Sequence, residues 1–281
     1  MFPSLPTSLA VLALALSPAA VLADDNAESV STLDFKNRFV SSGIVPEVIA
    51  ALDPAVSFYV TYRADDGHSE LITPGSSLTV NETSALPLEF SVENLNNATN
   101  ITAQTRYLIY LLDADAPSRS SPTARNLRHY LAGNYTLNSA NSTVLTTAQR
   151  LSIPEANRRP FTPFTAPTPD ANSGVHRFIY ALYTQPARFN TAGFESVGME
   201  AATANWNLSR WRTQLGLGPA IGATFFTIDT GAAANGGSGS NSNNNNTGNA
   251  AGANAAGNVE ARGYLAGVVA LAAVVGALVM V

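Results

Sequence analysis

The chain has 281 residues, a formal net charge of -5 and a single lysine, Lys36, among its fifteen basic residues. The basic residues form no stripe along the sequence, which argues against a nucleic-acid partner. Cysteine is absent, so no disulfide can form and packing alone must stabilise the fold.

The first 23 residues are largely apolar and end in the run Val21-Leu22-Ala23, without a lysine or arginine ahead of the apolar core. A short apolar segment with this small-residue ending is typical of a secretory signal peptide, here cleaved before Asp24. The sequence thus predicts a secreted protein whose folded domain, residues 24–230, follows the signal.

The chain ends in an apolar tail, Leu265 to Val281, that carries no charge. A polar spacer and the small triplet Asn254-Ala255-Ala256 precede the tail, which is the order of a GPI-attachment signal. A single-pass membrane anchor is the alternative, but seventeen residues is at the short limit for a span and no basic residue follows. We predict that residues 255–281 are removed, that Asn254 carries the lipid anchor, and that the protein stays on the plasma membrane or moves to a cell wall.

Residues 231–254, which precede this signal, are almost entirely Gly, Asn, Ala and Ser. Such a composition cannot bury enough apolar surface to fold, so the segment predicts a flexible stalk. Seven Asn-x-Ser/Thr sequons are candidates for N-glycosylation in a secreted protein: Asn81, Asn97, Asn100, Asn134, Asn141, Asn207 and Asn245.

The first part of the domain predicts one helix and several short strands. Residues 30–42 have an amphipathic helical pattern that Gly43 ends, and an apolar connector, residues 44–49, follows. β-branched and aromatic residues then predict strands at 56–62 and 86–92, the latter with one face made of Leu86, Leu88, Phe90 and Val92, and shorter extended pieces at 71–75 and 78–80.

The run Tyr107 to Leu112 predicts a central strand, because it is apolar without alternation, as strands covered on both faces are. Two carboxylates, Asp113 and Asp115, follow, and Pro117 then ends the ladder because it has no N–H to donate. A second strand is predicted to begin at His129. Strand ends commonly carry binding residues on a rigid scaffold, so we expect these groups to meet at a sheet rim.

Beyond this point the sequence predicts weak strands, a stiff loop, a long strand and a helix. The loop, residues 160–172, holds four prolines and can form one wall of a site. The remaining predicted elements are weak strands at 135–137 and 143–145, a long strand at 174–183 with His176 near its start, a helix from 208 to 215 capped by Asn207 and ended by Gly216, and a last strand at 223–229. Without βαβα alternation, a largely antiparallel β protein with peripheral helices is the favoured architecture.

Only three histidines occur in the chain, and His129 and His176 stand at predicted strand starts near the two carboxylates. A neighbouring carboxylate favours the protonated imidazole, and two such donors in a shallow pocket would suit a phosphate or carboxylate. The alternative is purely structural, since a strand-end histidine bonded to an aspartate satisfies itself.

The sequence around these groups resembles the phosphatidylethanolamine-binding protein (PEBP) family. The family patterns DPDAPSR, HHF and GxHRY correspond to Asp113–Arg119, to Arg128-His129-Tyr130 and to Gly174–Phe178. Weaker similarities at residues 43–46, 71–74 and 218–226 extend the resemblance over about residues 35–230.

The resemblance implies a mainly β fold, a β-sandwich of a large central antiparallel sheet and a smaller sheet with peripheral helices. It also implies a small rim pocket for an anion or a phospholipid head group, without a metal or other cofactor. The ligand-binding residues implied in this chain are Asp113, His129, His176 and Pro169, with Asp115 and Pro117 shaping the loop beneath together with Ser118 and Arg119. We expect Arg119 to form a salt bridge with Asp115 rather than to contact the ligand.

Three residues depart from the family patterns. Ala114 replaces a proline and loosens the turn, Arg128 replaces a histidine and would add a fixed positive charge near the pocket, and Phe178 replaces a tyrosine and removes a hydroxyl group. These changes leave open whether anion binding is weakened or suited to a more highly charged head group.

Three functions remain to be separated. The first is anion or lipid-head-group binding, and the second is a protein-interaction role, because the family includes inhibitors of serine carboxypeptidases. In that case a free N-terminal arm, residues 24–34, would be needed. The third is a hydrolase with His129 or His176 as base, but no Gly-x-Ser-x-Gly elbow, cysteine or HExxH site occurs, so we predict that the protein is not an enzyme.

Overall fold

The computed structural model describes residues 28–95, 98, 101–154, 160–186 and 203–231. The predicted signal peptide, the stalk beyond Gly231, the anchor site Asn254 and the apolar tail lie outside these residues, as do the sequons at Asn97, Asn100 and Asn245. Within the described ranges, no helix combines the length and apolar character that crossing a membrane requires.

The described residues contain three helices and nine strands. The helices are α1 (Thr32–Ser41), α2 (Ile44–Glu47) and α3 (Leu208–Leu215). The strands are β1 (Ser57–Arg63), β2 (Ser69–Ile72), β3 (Ser76–Ser77), β4 (Glu89–Glu93), β5 (Tyr107–Asp113), β6 (Leu127–Asn141), β7 (Gln149–Ser152), β8 (Val175–Thr184) and β9 (Gly222–Asp229).

All nine strands belong to one ladder in the order β2-β1-β4-β7-β6-β5-β8-β9-β3. The long strand β6 joins its two parts, since its first half pairs with β5 and its second half with β7. Every pair is antiparallel except β3 with β9, which is parallel. The predicted largely antiparallel architecture is confirmed, and the one parallel pair lies at the edge where β3 meets β9.

The two parts of the ladder face each other across an apolar core. Contacts between strands that are not ladder neighbours show this: the hydroxyls of Tyr62 on β1 and Tyr180 on β8 lie 2.7 Å apart, and the rings of Phe90 on β4 and Tyr180 are 5.5 Å apart. Aromatic and β-branched residues from both parts fill the space between them. The predicted mainly β sandwich is confirmed.

The helices cover the other face of the β6-β5-β8-β9 part. Phe39 of α1 packs edge-on against Phe225, with 5.0 Å between ring centroids, and Trp211 of α3 is buried on the same side. As predicted, Asn207 caps α3 by accepting from the Arg210 amide, and Ser31 caps α1 by accepting from the Asp34 amide. Both helices therefore sit at the periphery, as predicted.

Several element boundaries differ from the prediction. Leu86 and Leu88 are each 44% exposed, and the strand starts only at Glu89. Residues 143–145 form a turn rather than a strand, the strand β7 after it was not predicted, and the connector after Gly43 contains the short helix α2.

Candidate functional site

The candidate site lies where three neighbouring strands meet at the rim of the sheet. Asp113 ends β5, and its ladder partners are Leu127 on β6 and Phe178 on β8. His129 and His176 each lie two residues from these partners along their strands. Antiparallel pairing therefore brings the end of β5 and the starts of β6 and β8 to one rim, as predicted.

His176 is fixed by hydrogen bonds at both ring nitrogens. Its Nδ1 lies 2.7 Å from Asp113 Oδ2 and its Nε2 lies 2.9 Å from Ser173 Oγ, and the ring is only 1% exposed. Burial by itself lowers the pKa of His176, but the hydrogen bond and charge of Asp113, with smaller contributions from other nearby carboxylates, outweigh it and leave the pKa raised. The pair is therefore favoured as imidazolium and carboxylate.

His129 has the opposite electrostatic environment. Its Nδ1 is 2.9 Å from the carbonyl oxygen of Thr165, so this nitrogen carries the proton, and its Nε2 is buried without a hydrogen-bond partner. Burial lowers the pKa of His129, although the Thr165 carbonyl and the charge of Asp113 partly oppose the shift. Leaving a buried polar atom without a hydrogen bond costs about 1–3 kcal/mol of folding free energy, so the unpaired Nε2 is unusual for a purely structural histidine.

A β-bulge sets the direction of the His129 side chain. Leu111 pairs with Tyr130 and Leu112 with Arg128, so two residues of β6 span one step of β5 and His129 is the extra residue. Bulges redirect side chains at strand ends and are frequent beside functional sites. As a result the His129 ring packs against Phe178, 5.5 Å between centroids, on the side of the sheet that holds the site.

These groups border a cavity of about 210 Å³. Its lining combines the three predicted polar residues with the loop after β5 and with the end of the proline-rich loop: Asp113, Ala116, Pro117, Ala124, Leu127, His129, Thr168, Pro169, Asp170 and His176. Of the six residues predicted to bind the ligand, five line this cavity, and the exception is Asp115.

Asp115 lies beneath the cavity, where it forms a buried ion pair. Its carboxylate accepts from Arg177 Nε at 2.8 Å and from Arg177 Nη2 at 2.6 Å, and both side chains are at most 1% exposed. The expected salt bridge between Arg119 and Asp115 is therefore wrong, because Arg177 on the adjacent strand already occupies the carboxylate. Arg119 instead donates to the Ser42 carbonyl at 3.2 Å.

The three departures from the family patterns have structural consequences. Arg128 does not add charge to the cavity, because it points to the opposite face, with its guanidinium 4.9 Å from the centre of the Trp206 ring. Phe178 stacks beneath His176, with 6.2 Å between ring centroids, and Ala114 is fully buried among apolar side chains. The expectation of a fixed positive charge from Arg128 is thus wrong.

A larger groove of about 550 Å³ lies elsewhere on the molecule, between β4, β7 and the start of the proline-rich loop. Among the described residues, its lining is mostly leucine, proline and aromatic side chains, and the one basic residue there, Arg150, is 3.1 Å from the Glu89 carboxylate. The Glu89 carboxylate balances the charge of Arg150, so this groove attracts an anion only weakly. The smaller rim cavity is the better candidate because it gathers the titratable groups.

A profile of the family described as "Phosphatidylethanolamine-binding protein" matches residues 68–226, which is more than half of the chain. The chain belongs to the phosphatidylethanolamine-binding protein family. The rim cavity and all three motif segments that border it lie inside the matched residues of this PEBP chain.

The PEBP relationship is also visible in individual proteins. The chain is 25% identical over 190 residues to a 26 kDa secreted antigen of Toxocara canis, covering 67% of this chain and 62% of that relative. Among solved structures, a carboxypeptidase Y inhibitor in complex with its cognate proteinase has a TM-score of 0.56 at 17% identity, covering 71% of this chain and 96% of the other. A PEBP from Plasmodium vivax has a TM-score of 0.51 at 15% identity, covering 68% and 95%. At these identities the two structures establish the fold.

Several residues of the PEBP site were not predicted. Thr165 and Ser173 orient the two imidazoles, and Asp170 lines the cavity. The proline-rich loop was recognised as a wall, but nothing in its sequence shows which carbonyl or hydroxyl points inward. Only the Gly174 turn directly before His176 could have suggested Ser173.

Proposed function

We propose that this PEBP chain is a secreted, surface-tethered binding protein whose rim cavity holds a phosphate-bearing ligand, such as a phospholipid head group. The observation that carries the proposal is the convergence of Asp113, His129 and His176 on one cavity of about 210 Å³. Charged and polar groups that meet in a concave site on a rigid sheet are typical of small-ligand binding rather than of packing.

The site also offers one open hydrogen-bonding position to a ligand. Both ring nitrogens of His176 are already bonded, to Asp113 and to Ser173, whereas Nε2 of His129 is buried and unused, so a protonated phosphate oxygen could bond there. A structural role alone would account for the His176 pair, but it leaves the unpaired nitrogen of His129 unexplained.

The proposed location rests on the sequence and on one relative. The apolar N-terminal segment, the sequons and the GPI-type C-terminal pattern favour export and a lipid anchor. The relative in Toxocara canis is described as a secreted antigen. Release of the protein from cells by a phosphatidylinositol-specific phospholipase would support the anchor, and retention after that treatment would favour the single-pass alternative.

Imidazole NMR tests ligand binding directly, because the chain has only three histidines. Phosphoethanolamine, added to millimolar concentration, is expected to shift the ring signals of His129 and His176. His68 provides an internal control, since it pairs with Asp66 on the turn after β1 and lies outside the cavity. Unchanged signals from both cavity histidines would refute the proposal.

Protease inhibition is the alternative, suggested by the similarity of the fold to a carboxypeptidase Y inhibitor. A free N-terminal arm would be short, because Ser29 Oγ donates to Glu93 at 2.7 Å and the Val30 amide donates to the Tyr59 hydroxyl at 2.8 Å. Removal of residues 24–28 would delete the arm and keep these anchors. Carboxypeptidase inhibition that disappears with this deletion, together with silent cavity histidines, would favour the alternative.

The proposal assigns binding rather than turnover to the cavity. Ser173 Oγ lies 2.9 Å from His176 Nε2, and Asp113 lies 2.7 Å from the other ring nitrogen. The Ser173 hydroxyl donates its proton to the Asp170 carbonyl oxygen at 2.5 Å, so it does not donate to the imidazole as an activated nucleophile would. Hydrolysis of a phosphoester that is lost in His129→Ala would overturn this assignment.

A further inference from the structure

One polar atom at the rim cavity remains without a partner. Among the described side chains that line the cavity, His129 Nε2 is the only buried polar side-chain atom that makes no hydrogen bond. The other ring nitrogen, Nδ1, faces the Thr165 carbonyl oxygen at 2.9 Å and must donate to it. The neutral ring therefore has a lone pair on Nε2, and a lone pair repels an anionic oxygen unless a proton lies between them.

The remaining charges around the cavity do not favour a bare anion. From β5 comes the carboxylate of Asp113, from β8 the imidazolium of His176, and from the loop before β8 the exposed carboxylate of Asp170. The Asp113 charge is balanced by His176 at 2.7 Å, which leaves Asp170 uncompensated within this set. Arg128, the neighbour of His129 on β6, lies on the opposite face of the sheet.

We infer that capture of an anion in this cavity takes up one proton, which is held between His129 Nε2 and an oxygen of the ligand. The inference rests on the proposed function, because it concerns the same site. It follows that the affinity for phosphate esters rises as the pH falls, and that His129 sets this dependence. Burial lowers the pKa of His129 in the empty site, which disfavours a proton on Nε2 until a ligand oxygen shares it.

The source of the proton depends on the ligand. A phosphate monoester has a second pKa of about 6, so its singly protonated form can bring the proton as a P–OH group that donates to Nε2. A phosphodiester has no such group, and solvent must then supply the proton to Nε2, which donates it to the phosphate oxygen. Each complex therefore holds one more proton than its two free partners together, which are the protein with a neutral His129 ring and the fully ionised ester.

Isothermal titration calorimetry measures this proton uptake. Phosphoethanolamine serves as the monoester and glycerophosphoethanolamine as the diester, each titrated into the secreted protein at pH 7.5 in two buffers of different ionisation enthalpy. We expect uptake of about one proton for both esters, and a loss of affinity of about tenfold per pH unit at pH values where neither the free imidazole nor the free ester carries the proton. Binding without proton uptake would overturn the inference and leave the proposed function intact, whereas absence of binding would overturn both.

A variant locates the proton. His129→Gln has a side-chain amide that does not titrate, so binding to this variant should be weaker, independent of pH and without proton uptake. His68→Gln is the matched control, and it should take up the same proton as the natural protein. If His129→Gln still takes up one proton, the proton resides elsewhere and the inference is wrong.

A second measurement does not depend on the folding of the variant. In the natural protein, an NMR pH titration should show the pKa of His129 rising when glycerophosphoethanolamine is bound, because a diester cannot carry the proton itself, while the titration of His68 stays unchanged. A His129 titration that does not move in the presence of saturating diester would contradict the inference.

Discussion

Replacement of Arg177 by methionine tests the buried ion pair that supports the site. The Arg177 guanidinium donates twice to Asp115, once to the Ser42 carbonyl at 3.0 Å and once to Glu47 at 3.1 Å. The backbone amide of Arg177 also donates to Asp115 at 2.9 Å. Arg177 thus ties β8 to the loop after β5 and to α2.

The expected loss of stability is large because the partner is also buried. Asp115 is fully buried, so methionine would leave its carboxylate without a counter-charge. Breaking a buried pair in this way costs about 3–5 kcal/mol of unfolding free energy. For a domain of this size, about 2–4 °C per kcal/mol then predicts a melting temperature lower by about 6–20 °C.

Urea unfolding followed by circular dichroism measures this effect, with Lys36→Met as the matched control. Lys36 pairs with Asp53 at 3.0 Å, but the two side chains are 44% and 91% exposed, so its loss should cost about 1 kcal/mol or less. An Arg177→Met variant that unfolds within about 1 kcal/mol of the natural protein would contradict the reasoning.

Three further predictions concern the site, a helix cap and a close packing contact. In Asp113→Asn the pKa of His176 should fall, because Asp113 stabilises the protonated ring. The loss of unfolding free energy should be greatest below pH ~6.5 and should fade as the pH rises through the raised pKa of the folded protein. A difference in stability that grows with rising pH would contradict this. Asn207→Ala should cost about 1 kcal/mol through loss of the α3 cap, whereas Asn207→Asp should keep it, and equal urea midpoints for both would argue against the cap. Gly222→Ala should cost about 1–3 kcal/mol, because the added Cβ would lie 2.9 Å from side-chain atoms at the start of β1. Gly218→Ala, where no such contact exists within 4 Å, should leave the urea midpoint nearly unchanged.

The sequence by itself predicted the elements whose signals are local. An unbroken apolar run identified β5, and the sequence showed directly that Asp113 stands at its end. Asn207 and Gly216 marked the two ends of α3. These predictions succeed because burial on both faces and helix capping depend on residues close together in the chain. Together with the short motifs, they were sufficient to place Asp113, His129 and His176 at one rim.

Only the tertiary structure decided which partners these groups have. The sequence suggested Arg119 as the partner of Asp115, but the pairing of β5 with β8 places Arg177 there instead. The bulge in β6 turns His129 toward the site and Arg128 away from it, which simple alternation along a strand does not predict. Strand register and bulges arise from contacts between distant segments, so the polarity of the cavity could not be obtained from any one stretch of the chain.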